Sequence, residues 1–176
     1  MDRWYLCGLG SNIRPDENLP QAVARLAARY GPIWLSAVIH TRPEGMSTPN
    51  PFLNALAVFA SELSPEQLKA ELNALEEAMG RDRSDPMSSR KDRPIDVDIL
   101  EVRRQRAFTG ATIEEPYYRR LFQGEPAVAG VSLQLEGQRL GQSPATIYRN
   151  QGPGHEIVVE QGEQLNHYAV KATFPG

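Results

Sequence analysis

The sequence predicts an α+β fold: a ferredoxin-like split βαβ core with an antiparallel sheet, followed by a C-terminal extension. Three observations carry that expectation. Residues 17–30 and 64–79 repeat apolar side chains at helical spacing. Four short runs, at 3–9, 33–41, 52–60 and 95–99, have strand character. Their order is β-α-β-β-α-β, the arrangement in which both helices cover one face of the sheet.

The first run, RWYLCGL, is mainly apolar and ends in Gly-Ser-Asn, which reads as a strand followed by a tight turn. Leu19, Ala22, Val23, Leu26, Ala27 and Tyr30 then mark one helical face, and Gly31-Pro32 stops the helix. Pro20 fits only the first turn of that helix, where a missing N–H does no harm. IWLSAVIHT and FLNALAVFA are the next two strands, separated by the Pro/Gly-rich loop PEGMSTPNP. The second helix carries the clearest signal. Ser64 caps it, Pro65 takes the first position, Gln67 completes a capping box, and Gly80 ends it after Leu68, Leu72, Leu75 and Met79.

Ile95, Val97 and Ile99 alternate with Asp96 and Asp98, giving a strand with two unlike faces. Beyond residue 102, segments 130–136, 155–161 and 167–174 have strand character and 116–123 a helical turn. Gly/Gln/Pro-rich 137–154 reads as a separator.

Length and composition narrow the classes. A chain of 176 residues, 40% hydrophobic and 23% charged, is a single soluble domain by size and balance. Nineteen basic against 22 acidic residues give a net charge of −3, which argues against a nucleic-acid binder. One cysteine, Cys7, leaves no intrachain disulfide. No basic leader with an apolar run opens the sequence and no stretch is suited to span a bilayer, so a cytoplasmic protein away from the membrane is expected. The oligomeric state stays open, with a monomer slightly favoured.

Between Arg81 and Arg106 lie eight of the nineteen basic residues, interleaved with six acids. On a strand, Asp96 and Asp98 point to one side about 6.6 Å apart, and two carboxylates so placed repel unless a cation lies between them. Magnesium accepts a few carboxylates while keeping water and phosphate ligands. A solvated acidic strand face is the plainer alternative. Arg81, Arg83 and Arg93 flank the pair, and planar guanidinium forks suit phosphate; ordinary surface ion pairs explain them equally well. Asn54 lies between Phe52 and Leu56 on one strand face, as a satisfied structural amide or as a reader of a flat heterocycle's edge. Glu76, one turn after Leu72, reads first as a solvated boundary residue. His40, His155 and His167 show no zinc spacing.

In combination, these elements resemble the hydroxymethyl-dihydropterin pyrophosphokinase family of folate biosynthesis. The resemblance rests on Leu9-Gly10-Ser11-Asn12, Thr41-x-Pro43-x-Gly45, Phe52-Leu53-Asn54-Ala55, Leu75-Glu76 with Gly80-Arg81-x-Arg83, and Arg93-Pro94-Ile95-Asp96-Val97-Asp98-Ile99-Leu100. It implies transfer of pyrophosphate from ATP to the hydroxymethyl group of a reduced pterin, releasing AMP. It further implies two Mg2+ ions on Asp96 and Asp98, and catalytic roles for Arg81, Arg93 and the two aspartates. Nucleotide contacts would come from Glu76, Arg81, Arg83, Arg93, Ile99, Tyr117 and Tyr118, and pterin contacts from Thr41, Pro43, Phe52 and Asn54. Loops 43–51 and 81–93 correspond to lids that close over substrates.

Residues 1–102 form the pyrophosphokinase-like core of one domain, and 103–176 its divergent C-terminal part. In that part Pro116-Tyr117-Tyr118 replaces the family's usual Pro-His, and Arg119 and Arg120 come earlier than its usual arginine. Two rival readings follow: a pterin- or nucleotide-binding paralogue without catalysis, and an RNA-binding module, which the acidic balance opposes.

Overall fold

The computed structural model describes residues 2–42, 50–82, 92–124 and 130–165. Twelve elements occur among them: β1 (Arg3–Ser11), α1 (Pro15–Tyr30), β2 (Ile33–Leu35), β3 (Ile39–Thr41), β4 (Phe52–Ser61), α2 (Pro65–Ala78), β5 (Asp96–Arg103), α3 (Pro116–Gln123), β6 (Leu133–Leu135), β7 (Gln138–Leu140), β8 (Ala145–Arg149) and β9 (Ile157–Gln161). The expected α+β class with an antiparallel sheet is met. The sheet runs β5-β1-β4-β2-β8-β9, with β3 paired to β4, and each neighbour is antiparallel.

Alternation along β1 divides the core in two. Tyr5, Cys7 and Leu9 face α1 and α2, in one cluster with Leu19, Val23, Leu26, Leu68, Leu72 and Val97. Leu6 faces the other way, with Leu56, Val58, Phe108, Tyr118 and Phe122. Ser64 accepts from the Gln67 N–H and the Gln67 side chain accepts from the Ser64 N–H, so the predicted capping box is formed.

Four expectations change. Gly10 and Ser11 are strand residues, not a turn, because β1 continues to Ser11 and pairs with both β4 and β5. Residues 33–41 break into β2 and β3, where the Ser36 hydroxyl accepts the Leu56 N–H and a ladder step is lost. Helix α1 starts at Pro15, so Pro20 falls in its second turn, where its ring removes one helical hydrogen bond. The supposed separator 137–154 contains β7 and β8, and β8 pairs with β2 to extend the main sheet. The candidate strand 167–174 lies outside the described residues.

Candidate active site

The site begins with the register of three central strands. Gly10 lies between Asp96 on β5 and Asn54 on β4, and Gly8 between Asp98 and Leu56. Paired residues share a sheet face, so both aspartates and Asn54 project on the α3 side, over a floor that two glycines leave bare. A Cβ on Gly8 would stand 2.6 Å from the Tyr118 ring, and one on Gly10 would stand 2.8 Å from the Asn54 amide nitrogen. Glycine is needed here for close approach, not for a turn.

Over that floor lies a cavity of about 460 Å³ bordered by Thr41, Phe52, Asn54, Arg93, Asp96 and Asp98, with Glu114, Glu115, Tyr117 and Tyr118 closing its α3 side. A second cavity, of about 400 Å³, lies beside α2 and is lined by Lys69, Asn73, Arg81 and Ile99. Arg93, Asp96 and Asp98 border both. The carboxylate pair is therefore the ridge between two chambers.

Charge is concentrated on that ridge. Arg81 donates to Asp96 Oδ1 at 2.7 Å and to Glu76 Oε1 at 2.8 Å, and Arg93 lies 3.5 Å from Asp96 Oδ2. Burial pulls the Arg81 guanidinium's pKa down, but its bonds to Asp96 and Glu76 outweigh this and hold it above the ordinary arginine value. Asp98 is open to solvent at the cleft yet walled by protein. That partial burial, together with the neighbouring Asp96 carboxylate, raises its pKa to about 7. Arg93 also stands over the Phe52 ring, 5.8 Å from its centroid.

The donor set fits magnesium. Two hard carboxylates share one face, and their mutual repulsion, visible in Asp98, is what a divalent cation relieves. No cluster of three or more His, Cys, Asp or Glu occurs among the described residues, so further ligands would come from water and phosphate.

Glu76 corrects the expectation of a solvated boundary residue. It is fully buried, because the chain after α2 turns back and brings Arg81 onto its carboxylate. Tyr117 and Tyr118, expected along the nucleotide, border the first chamber with Asn54 and not the second. Arg119 is exposed and its Nε donates to the Ile113 carbonyl, and Arg120 is exposed as well; neither borders a chamber. Pro43 and Arg83, with most of the two expected lids, lie outside the described residues.

Sequence reasoning missed Asn12 as a separate actor. Its side-chain oxygen accepts the Arg93 N–H at 2.7 Å, its amide donates to Asp92 at 2.8 Å, and its own N–H donates to the Arg93 carbonyl at 3.1 Å. The only signal was an Asn placed just past a strand. Asn12→Ala is expected to cost about 1–3 kcal/mol of stability by leaving the half-buried Arg93 N–H and Asp92 carboxylate short of a partner. It should also weaken magnesium-nucleotide binding less than loss of an aspartate does. Thermal melts and calorimetry check both.

A model of the 7,8-dihydro-6-hydroxymethylpterin-pyrophosphokinase family matches residues 6–129. Proteins of two Porphyromonas gingivalis strains, each named 2-amino-4-hydroxy-6-hydroxymethyldihydropteridine pyrophosphokinase, are 38% identical to this chain over 94 residues. Those matches cover 52% of this chain and 64% of each relative, so it spans somewhat under two thirds of their length.

Proposed function

This chain belongs to the 7,8-dihydro-6-hydroxymethylpterin-pyrophosphokinase family, and from that membership we propose that it transfers pyrophosphate from ATP to the hydroxymethyl group of a reduced pterin, releasing AMP. The observation that carries the reading is the ridge: Arg93, Asp96 and Asp98 border both chambers. The pterin takes the first chamber, against Phe52, Thr41 and Asn54. The nucleotide takes the second, with its base along Ile99 and its phosphates toward Arg81 and Arg93. Glu76 acts from beneath, by holding Arg81.

Asp96 and Asp98 hold magnesium, with two ions expected. Bound there, the metal neutralises phosphate charge and aligns the reacting oxygens. Arg81 and Arg93 turn guanidinium groups toward the phosphates, and their ion pairs with Asp96 fix their direction. The pterin hydroxyl attacks the β-phosphorus in line, and the protein contributes position and electrostatics without a nucleophile of its own. No helix among the described residues is long and apolar enough to cross a membrane; we place the enzyme in the cytoplasm, acting without nucleic acid. It works as one domain, a reading that the β2–β8 pairing supports.

A second reading, binding without transfer, draws on the altered segment after Pro116: Tyr117 borders the first chamber beside Glu114 and Glu115, while Arg119 and Arg120 border neither chamber. Quantifying AMP separates the two. Release that requires ATP, magnesium and hydroxymethyl-dihydropterin together supports transfer; pterin binding with no AMP supports the second reading.

The raised Asp98 pKa sets a pH dependence. Magnesium-nucleotide affinity is expected to fall as pH drops from 8 to 6, because Asp98 takes up a proton near 7 and ceases to be a ligand. In metal-free protein the folded carboxyl binds its proton more tightly than the unfolded one does. Its stabilising contribution is complete below about pH 4 and is lost as pH rises through 7. Asp98→Asn should flatten both profiles, as calorimetry and melts at stepped pH will record.

A further inference from the structure

Asn54 is buried, and the hydrogen bonds around it have a polarity that one group dictates. The Leu9 carbonyl can only accept. It receives the Tyr118 hydroxyl at 2.9 Å and the Asn54 amide nitrogen at 3.3 Å. The Tyr118 proton being spent on Leu9, its oxygen accepts the second Asn54 N–H at 3.1 Å. Both amide hydrogens are then committed, and the Asn54 oxygen is turned toward Thr41, whose hydroxyl donates to it. At the cavity wall, Asn54 and Thr41 have only lone pairs left to offer.

We propose that Tyr118 is a positioning residue that locks the Asn54 amide, so that this wall of the first chamber recognises a heterocycle edge carrying adjacent N–H donors. The claim rests on the pterin reading of that chamber and adds to it the residue that fixes which way the Asn54 amide faces. The Tyr118 ring is held for the task by the bare surface of Gly8, which no other residue would leave. A ring edge of acceptors would meet two acceptors and leave buried groups unpaired, a mismatch that discriminates far more strongly than loss of apolar contact.

Tyr118→Phe tests this, because it keeps the ring and removes only the oxygen. Binding is measured by calorimetry, without turnover, for hydroxymethylpterin, for its 3-methyl-2-dimethylamino derivative, which lacks the donors, and for a non-hydrolysable ATP analogue with magnesium. The expected result is a pterin Kd raised about 3- to 10-fold, a narrowed preference over the donor-free ring, and an unchanged nucleotide Kd. Gly8→Ala, which displaces the same ring without deleting its hydroxyl, should give the same split. An unchanged pterin Kd, or equal weakening of pterin and nucleotide, overturns the assignment. If wild-type protein binds the pterin as expected but never releases AMP, the transfer reading fails while this one stands. If it binds no pterin, both fall.

Discussion

Asp98→Ala is expected to abolish magnesium-dependent nucleotide binding and to lower pyrophosphate transfer by about three orders of magnitude or more, with the fold intact. The fold should survive because Asp98 projects from the edge strand into an open cleft, away from Val97 and its apolar cluster. Removing one of two repelling carboxylates should leave the metal-free protein at least as stable above pH 7. Asp96→Ala should be as inactive but less stable, since Asp96 accepts a hydrogen bond from Arg81 and is ion-paired with Arg93. The contrast between the two variants separates metal binding from structural pairing. Calorimetry with unchanged magnesium-ATP affinity in both would sink the metal assignment.

Arg81→Ala should have the largest effect on stability. The side chain is 8% exposed and joins a fully buried Glu76 to Asp96. Removing one partner of such a pair costs about 3–5 kcal/mol, which for a chain of this size lowers Tm by about 10 °C. Much of the cost is the penalty on the carboxylates left behind, so Arg81→Leu with Glu76→Leu should recover most of the stability and none of the nucleotide affinity. A double-mutant cycle with no coupling between the two residues would show that the buried pair does not hold Arg81 in place.

What was legible in the sequence was what local chemistry decides. Ser64, Pro65 and Gln67 announce α2 by the cap they build, and Asp96-Val97-Asp98 announces a two-faced strand by its period. The misread parts depend on distant partners. Gly10 signals a turn locally, but it lies within β1 against the Asn54 amide, and Gly8 is matched to the ring of Tyr118, more than a hundred residues on. Glu76 reads as solvated until the chain after α2 folds Arg81 back upon it. Strand β8 is only five residues long and adjoins glycine-rich turns; its pairing with β2 spans more than a hundred positions. The spacing of site residues was readable, whereas their division between two chambers needed the α3 segment to close over the sheet.

The central claim is that both ligands bind at once, one on each side of Asp96 and Asp98. Titrating hydroxymethyl-dihydropterin into wild-type protein saturated with magnesium and a non-hydrolysable ATP analogue tests it most directly. The account predicts a ternary complex of one pterin per chain, with a pterin affinity equal to or tighter than that of the nucleotide-free protein. Competition, in which saturating nucleotide drives the pterin out, would contradict it.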